Sequence, residues 1–317
     1  MKLFINAILR NFGLKLVRTL EPHGRKRTTK YQTKLNSFLE NLAHAPLDPD
    51  THLAYAIEAA RCDKPYLAYA ELKSAEFLGA DPDRVAACKP SILHSIPDVM
   101  SMNHNQYFRF ASLAAEIKAK AAGTEISVLD VGGGHGELAS FIQDARYCLC
   151  EPSINGISGN DLPFADRSFD YVVACHVLEH IPIDARESFL DQLLSKSRRG
   201  VILLNPFYIQ DTCVKERLTL FYEITGEQWA KEHLDCTLPR LESIELYARK
   251  NKIYFEIKPN GSLAASTALV FMDYFAGLAH QYSQWSRINV FFNSYFTLIM
   301  NSPDYPNAYM IYLTCDV

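Results

Sequence analysis

One stretch constrains the fold of this chain more than any other. In SVLDVGGGHGELASFI an apolar strand pattern reaches Asp130, meets Gly132, Gly133, Gly134 and Gly136 around His135, and then resumes as a helical pattern. A strand that stops in glycines and feeds a helix lets the backbone approach a ligand closely and aims free N–H groups at it. Such a bend belongs to a parallel sheet covered by helices, with a nucleotide-like ligand at the strand end. Dinucleotide-binding loops place a third glycine five residues after the first. Here that position is Glu137, so the spacing points away from a nicotinamide cofactor.

The chain on either side fits that grammar. From residue 123 onward, β-rich runs alternate with helical ones, predicting strands at Ile126–Val131, Tyr147–Glu151, Tyr171–Ala174, Gly200–Leu204, Ile253–Ile257 and Tyr309–Thr314. Residues 31–122 predict helices at Tyr31–Ala43, Thr51–Arg61, Tyr66–Leu78 and Asn105–Lys120. Small residues (Ala54, Ala56, Ala59, Ala68, Ala70, Ala75) mark the middle two as a close antiparallel hairpin packed on the main domain, since a helical repeat array needs about three units. Residues 262–300 are aromatic-rich and too long for a turn, so they predict two helices: buried, on a homodimer surface, or as a lid. The expected architecture is therefore α/β: a Rossmann-like, doubly wound, mostly parallel sheet with a helical extension at 31–104 and a helical insertion in a main domain of 105–317.

With 48% hydrophobic residues in 317, the chain can bury a full core without disulfides or metal. Eight cysteines without a C-x-x-C pair suit a reducing, cytoplasmic compartment. A formal charge of -4 argues against a nucleic-acid partner. The first thirty residues differ, with eight basic side chains against Glu21 alone. Arg10, Lys15 and Arg18 interrupt any membrane span or signal peptide. What remains is a basic amphipathic segment, either docked on the acidic body or drawn peripherally to anionic lipid at the inner face of the membrane.

Beyond the glycines, Glu151 in YCLCEPS would close the second strand and face the same crevice, where an acid can hold two ribose hydroxyls. Asp161 precedes a Leu162-Pro163-Phe164 turn, and Phe169-Asp170 opens a fourth strand ending at Cys175-His176. This ordered set resembles the class I S-adenosylmethionine-dependent methyltransferases, especially the branch whose motifs read D-x-G-x-G-x-G, D-L-P-F, S-F-D and H-V-L-E-H. The resemblance covers about residues 105–205. It implies S-adenosylmethionine as cofactor, with Asp130, Gly132, Gly133, Gly134 and Gly136 around its methionine part and Glu151 on the ribose. It also implies Asp161 and the backbone near Leu162 at the adenine, with Cys175 and His176 beside the methyl group.

The string His176-x-x-Glu179-His180 also matches an inverted zinc-peptidase motif, but a zinc site would need both histidines mid-helix, and His176 follows a strand. No metal is expected. Asn205-Pro206-Phe207 follows the fifth strand, the wrong place for an amino-group methylation motif, and Asn205 is either an acceptor-pocket or a turn residue. If the acceptor is a hydroxyl, a base would help, and the sequence offers His176, His180 and His233. The run EHLDCTLPRLE is similar to bacterial methyltransferases linked to surface polysaccharide. The expected acceptor is therefore a hydroxyl of a bacterial cell-surface glycan or its precursor. The alternatives are a small lipophilic acceptor and a non-catalytic scaffold.

Overall fold

The computed structural model describes residues 25–208, 214–295 and 305–315. The amphipathic pattern of residues 1–20, Cys213 and the 296–300 end of the insertion lie outside them. Five helices come first: α1 Arg25–His44, α2 Pro49–Arg61, α3 Pro65–Leu78, α4 Pro82–Ser95 and α5 His104–Ala121. The sheet then begins with β1 Ser127–Val131 and β2 Arg146–Cys150, followed by α6 Pro152–Asn155, β3 Phe169–Cys175, α7 Arg186–Lys196 and β4 Ser197–Asn205. Three helices, α8 Val214–Thr225, α9 Gln228–Asp235 and α10 Leu241–Lys250, lead to β5 Tyr254–Asn260. Helices α11 Leu263–Leu278 and α12 Tyr282–Tyr295 separate β5 from β6 Ala308–Thr314.

The sheet order is β2-β1-β3-β4-β6-β5. Strands β1 to β4 run parallel, while β6 is antiparallel to both its neighbours. The chain leaves β1 for β2 on one side and returns to β3 on the other, so the crevice for a ligand lies beyond the carboxyl ends of β1 and β3. The glycine loop, Glu151, His176 and Asn205 all stand on that edge. One strand count is corrected. The strand opened by Phe169 is the third, and Asn205 ends the fourth, because residues 156–168 stay irregular and add no strand after β2.

One sheet face and the β2 edge are covered by different helices. Leu129, Val131, Val172, Ala174, Val201 and Leu203 pack with Phe189, Leu190 and Leu193 of α7 and with Ile244 and Tyr247 of α10. Along the free edge of β2 lies α3, tied to it by Ser74, whose hydroxyl accepts from the Leu149 amide at 3.0 Å. Lys73 reaches the carbonyl of Gln143 at 2.7 Å. The hairpin is thus a structural cover: Ala56, Ala59, Ala68, Ala70 and Ala75 are fully buried, as close helix approach demands. Residues 38–317 form one compact unit, which holds this hairpin and the sheet together.

Two helix starts move from their expected positions. Pro49 and Pro65 are the first residues of α2 and α3, where a missing N–H costs nothing, and Asp48 accepts from Thr51 N at 3.0 Å. Helix α4 was not expected at all: Pro82 opens it after the Asp81 cap, and the chain carries Pro90 inside it. The insertion does form two helices, but they are not buried. Phe275, Tyr282, Phe291 and Tyr295 are exposed, and Leu263, Leu269 and Trp285 are the buried apolar side chains of the pair. Helix α12 is held by amides: Asn293 accepts at Oδ1 from His104 Nδ1 at 2.7 Å and donates Nδ2 to the carbonyls of Met100 and Met102. Among the described residues no helix is long and apolar enough to cross a membrane, and the described cysteines are free thiols.

Candidate active site

The glycine loop closes tightly. Gly132 N donates to Cys150 O at 2.7 Å, and Gly136 N donates to Gly133 O at 2.9 Å. Gly136 sits at φ +77°, and a Cβ there would lie 2.2 Å from that of Ala70 on α3, so only glycine lets the hairpin and the loop meet. Past Gly136 the expected helix is not formed. Residues Glu137–Ser140 make one 3-10 turn, and α3 packs against the loop at Gly136 through Ala70. Gly134 faces open space: a Cβ there would find nothing nearer than Glu137 Oε2 at 3.9 Å.

Asp130 lies beneath this loop and not in the crevice. It is 1% exposed, accepts from Tyr147 Oη at 2.7 Å, and fills the space under Gly133. Burial pushes its carboxyl up to about 7 against the help of that hydrogen bond. Its role is to brace the loop. Glu151 is half-buried and faces Gly134, whose amide donates to Oε2 at 3.2 Å. Its other oxygen caps α6 through Ser153 N at 3.1 Å and Ser153 Oγ at 2.8 Å. Asp161 is exposed nearby, while the Leu162 side chain belongs to the core with Phe164 and leaves its backbone for any ligand. Val177 covers Gly132.

At the end of β3, Cys175 is a neutral thiol, pushed up to about 12 by burial. His176 follows in the left-handed region at φ +58°, a strained conformation for a residue with a Cβ, while its amide donates to Leu204 O at 2.8 Å. Burial, and then the charge of Arg109, push its imidazole down to about 4, so the ring is neutral. Its Nδ1 stands 3.4 Å from Oε1 of Glu179. Glu179 is buried, yet its carboxyl is held below the usual range. Burial opposes ionisation, but the adjoining His176 and its own backbone N–H outweigh it. Asn205 is fully buried and donates Nδ2 to Glu179, so it positions that carboxylate and does not line a pocket.

His176 and Glu179 open onto a cavity of about 530 Å³. Helices α8, α9 and α11 and the segment 236–240 supply most of its wall, including the rings of Tyr208, Phe221, Trp229 and Phe271. Arg109, Lys215, Arg217 and Arg240 bring positive charge, and Glu179 is the acid that faces them. A pocket of about 30 Å³ behind it shares Arg109 and His176. His233 lines the large cavity, and its ring stands edge-on to His180 with centroids 5.4 Å apart. The three histidines proposed from sequence therefore come together. Arg109 was missed: it is an unremarkable helix residue in sequence, and only the packing of α5 puts it in the wall of both pockets beside His176.

Residues 102–250 match the family model described as a methyltransferase domain. No curated protein matches. Solved structures align more loosely. A methyltransferase assigned to an antibiotic biosynthesis pathway of Anabaena variabilis aligns with a TM-score of 0.42 and 16% identity, over 65% of this chain and 99% of that one. Phosphoethanolamine N-methyltransferase 2 of Haemonchus contortus, solved with S-adenosyl-L-methionine, aligns at 0.41 and 14%, over 64% of this chain and 52% of that one. An S-adenosylmethionine-dependent methyltransferase of Thermotoga maritima aligns at 0.38 and 16%, over 68% and 98%. The segment that matches the methyltransferase-domain model, 102–250, carries the glycine loop, Glu151, His176 and Asn205.

Proposed function

We propose that the chain transfers a methyl group from S-adenosylmethionine to a hydroxyl of a bacterial cell-surface glycan or its precursor. The observation that carries this reading is the shared sheet edge: an open glycine loop after β1 with a carboxylate beside it, and a large cavity lined by His176 at the end of the neighbouring strand β3. The donor fits the loop, since Gly134 leaves room and Glu151 lies within reach of a ribose. A carboxylate accepts about four hydrogen bonds and three sites are taken, so the Ser153 hydroxyl must rotate away to admit both ribose oxygens. When bound, the sulfonium supplies the methyl group and departs as a neutral thioether.

The chain's residues do the rest. The glycine loop and the cavity hold two reactants in line, which is where most acceleration of a displacement arises. His176, kept neutral with Nδ1 toward Glu179, has its other nitrogen free to receive the acceptor proton, and Glu179 steadies the charge that results. The aromatic rings of the cavity suit sugar faces. Arg109, Lys215 and Arg240 favour an anionic acceptor, such as an acidic sugar or a phosphate-linked precursor, over a neutral quinone-like one. The basic first thirty residues would keep the chain near a membrane where such precursors are assembled.

Calorimetry with S-adenosylmethionine and glycan mass spectra from cells with and without the protein test this reading. Donor binding and a methyl-sized mass difference are expected. No binding at millimolar donor would favour a scaffold, and a difference confined to lipids would favour a lipophilic acceptor. His176→Ala should leave donor affinity intact and lower turnover by about 10²- to 10⁴-fold, measured as transfer rate at saturating donor. Turnover at the wild-type rate would remove His176 as the base.

A further inference from the structure

We propose that Glu179, His180 and His233 form a binding site for one divalent transition-metal ion, of the zinc class, in the wall of the cavity. One ligand atom from each of these side chains lies within 4.8 Å of the other two, close enough for a single ion to draw them together. Two imidazoles and one carboxylate, with a position left open toward a cavity, are the donor set and vacancy of a zinc ion that handles substrate. Glu179 and His233 both line that cavity, so the open position would face the acceptor.

Three further observations point the same way. Glu179 is 2% exposed, and its Oε1 is buried without a well-formed hydrogen bond among the described residues, with His176 Nδ1 standing off at 3.4 Å. Its Oε2 is anchored by Asn205, which fixes the carboxylate as a supporting residue fixes a ligand. The two rings are oriented likewise. His233 donates Nδ1–H to the Trp229 carbonyl at 2.9 Å, which leaves Nε2 with its lone pair. His180 has Nδ1 at 3.2 Å from Cys236 Sγ, whose own hydrogen goes to Glu232 O at 3.2 Å, so His180 too keeps Nε2 free. An imidazole held by one nitrogen and open at the other is the usual state of a metal-ligating histidine. His176 is not in the set, so the ion differs from the one suggested by the H-x-x-E-H string.

The site stands on this geometry alone. Its purpose rests on the methyl-transfer reading: an ion there would bind the acceptor oxygen and ease loss of its proton. The test uses the full chain, freed of metal by a chelator and titrated with Zn²⁺ by calorimetry, with S-adenosylmethionine titrated in parallel. One Zn²⁺ per chain is expected, weakened at least tenfold in His180→Ala and in His233→Ala. The exposed His180→Ala is the safer variant should His233→Ala fail to fold. Co²⁺ should show the visible absorption of a low-coordinate site in the wild type and lose it in His180→Ala. Zinc binding without donor binding would keep the site and remove the methyl-transfer reading. Donor binding with no zinc, or zinc held equally by wild type and His180→Ala, would overturn the site.

Discussion

The two halves of the site are built in opposite ways. The half proposed for the donor is local: Asp130 to Gly136 is one bend, and Glu151 follows the adjacent strand. The cavity half is assembled from the end of β3, α5, α8, α9, the 236–240 segment and α11, which are separated by up to 160 residues or so. A local device is specified by backbone requirements, where glycine or a capping acid is the residue that works. An assembled one is specified by packing, where many side chains would serve. The first tolerates few substitutions and the second many, and this contrast can be tested.

The largest effect is expected at the brace of the donor half. Asp130 has a folded pKa of about 7 against an unfolded value of 3.8, so the unfolded chain ionises first and the buried carboxylate costs stability as pH rises between those values. Asp130→Asn should therefore be more stable than the wild type above pH 7, by about 4 kcal/mol at about 1.4 kcal/mol per pKa unit. The gain should vanish near pH 4. Urea unfolding at several pH values reads this, and a gain that does not change with pH would show that the carboxyl is not the buried acid of the loop.

Next comes Gly136→Ala, which combines a positive φ with a Cβ 2.2 Å from Ala70. A loss of about 3 kcal/mol is expected from strain and overpacking together. Ala70→Gly in the same chain should restore the overpacking part and leave the backbone part. If the double variant recovers nothing, hairpin and loop do not meet as described. The smallest effect belongs to Glu151→Ala, with a tenfold loss of donor affinity, about 1.4 kcal/mol. Unchanged affinity would break the donor assignment itself.

What the sequence made legible follows the same division. The strands were readable because a buried parallel sheet demands continuous apolar runs, and each predicted run overlaps an observed strand. Glycines 132, 134 and 136 and the cap at Glu151 were readable because local backbone geometry demands them. The helix after the loop was over-read. The pattern Leu138, Ala139, Phe141 and Ile142 is apolar enough for a helix, but α3 already packs against the loop through Ala70 and along the β2 edge through Ser74. Helix α4 was missed because its two prolines read as breakers, though Pro82 sits harmlessly at the start. The meeting of Glu179 and His180 with His233 leaves no local trace, because α9 brings His233 from 53 positions further along the chain.

The placement of β6 governs when any of this can exist. Residues 308–314 pair with Val201–Asn205 on one side and with β5 on the other. On the ribosome, a nascent polypeptide that has not yet exported them carries an open sheet edge at β4, hydrophobic and ready to pair with whatever strand it meets. Strand β6, made after the other strands of the described sheet, therefore closes it. A message truncated before it should yield a chaperone client and not a slower enzyme.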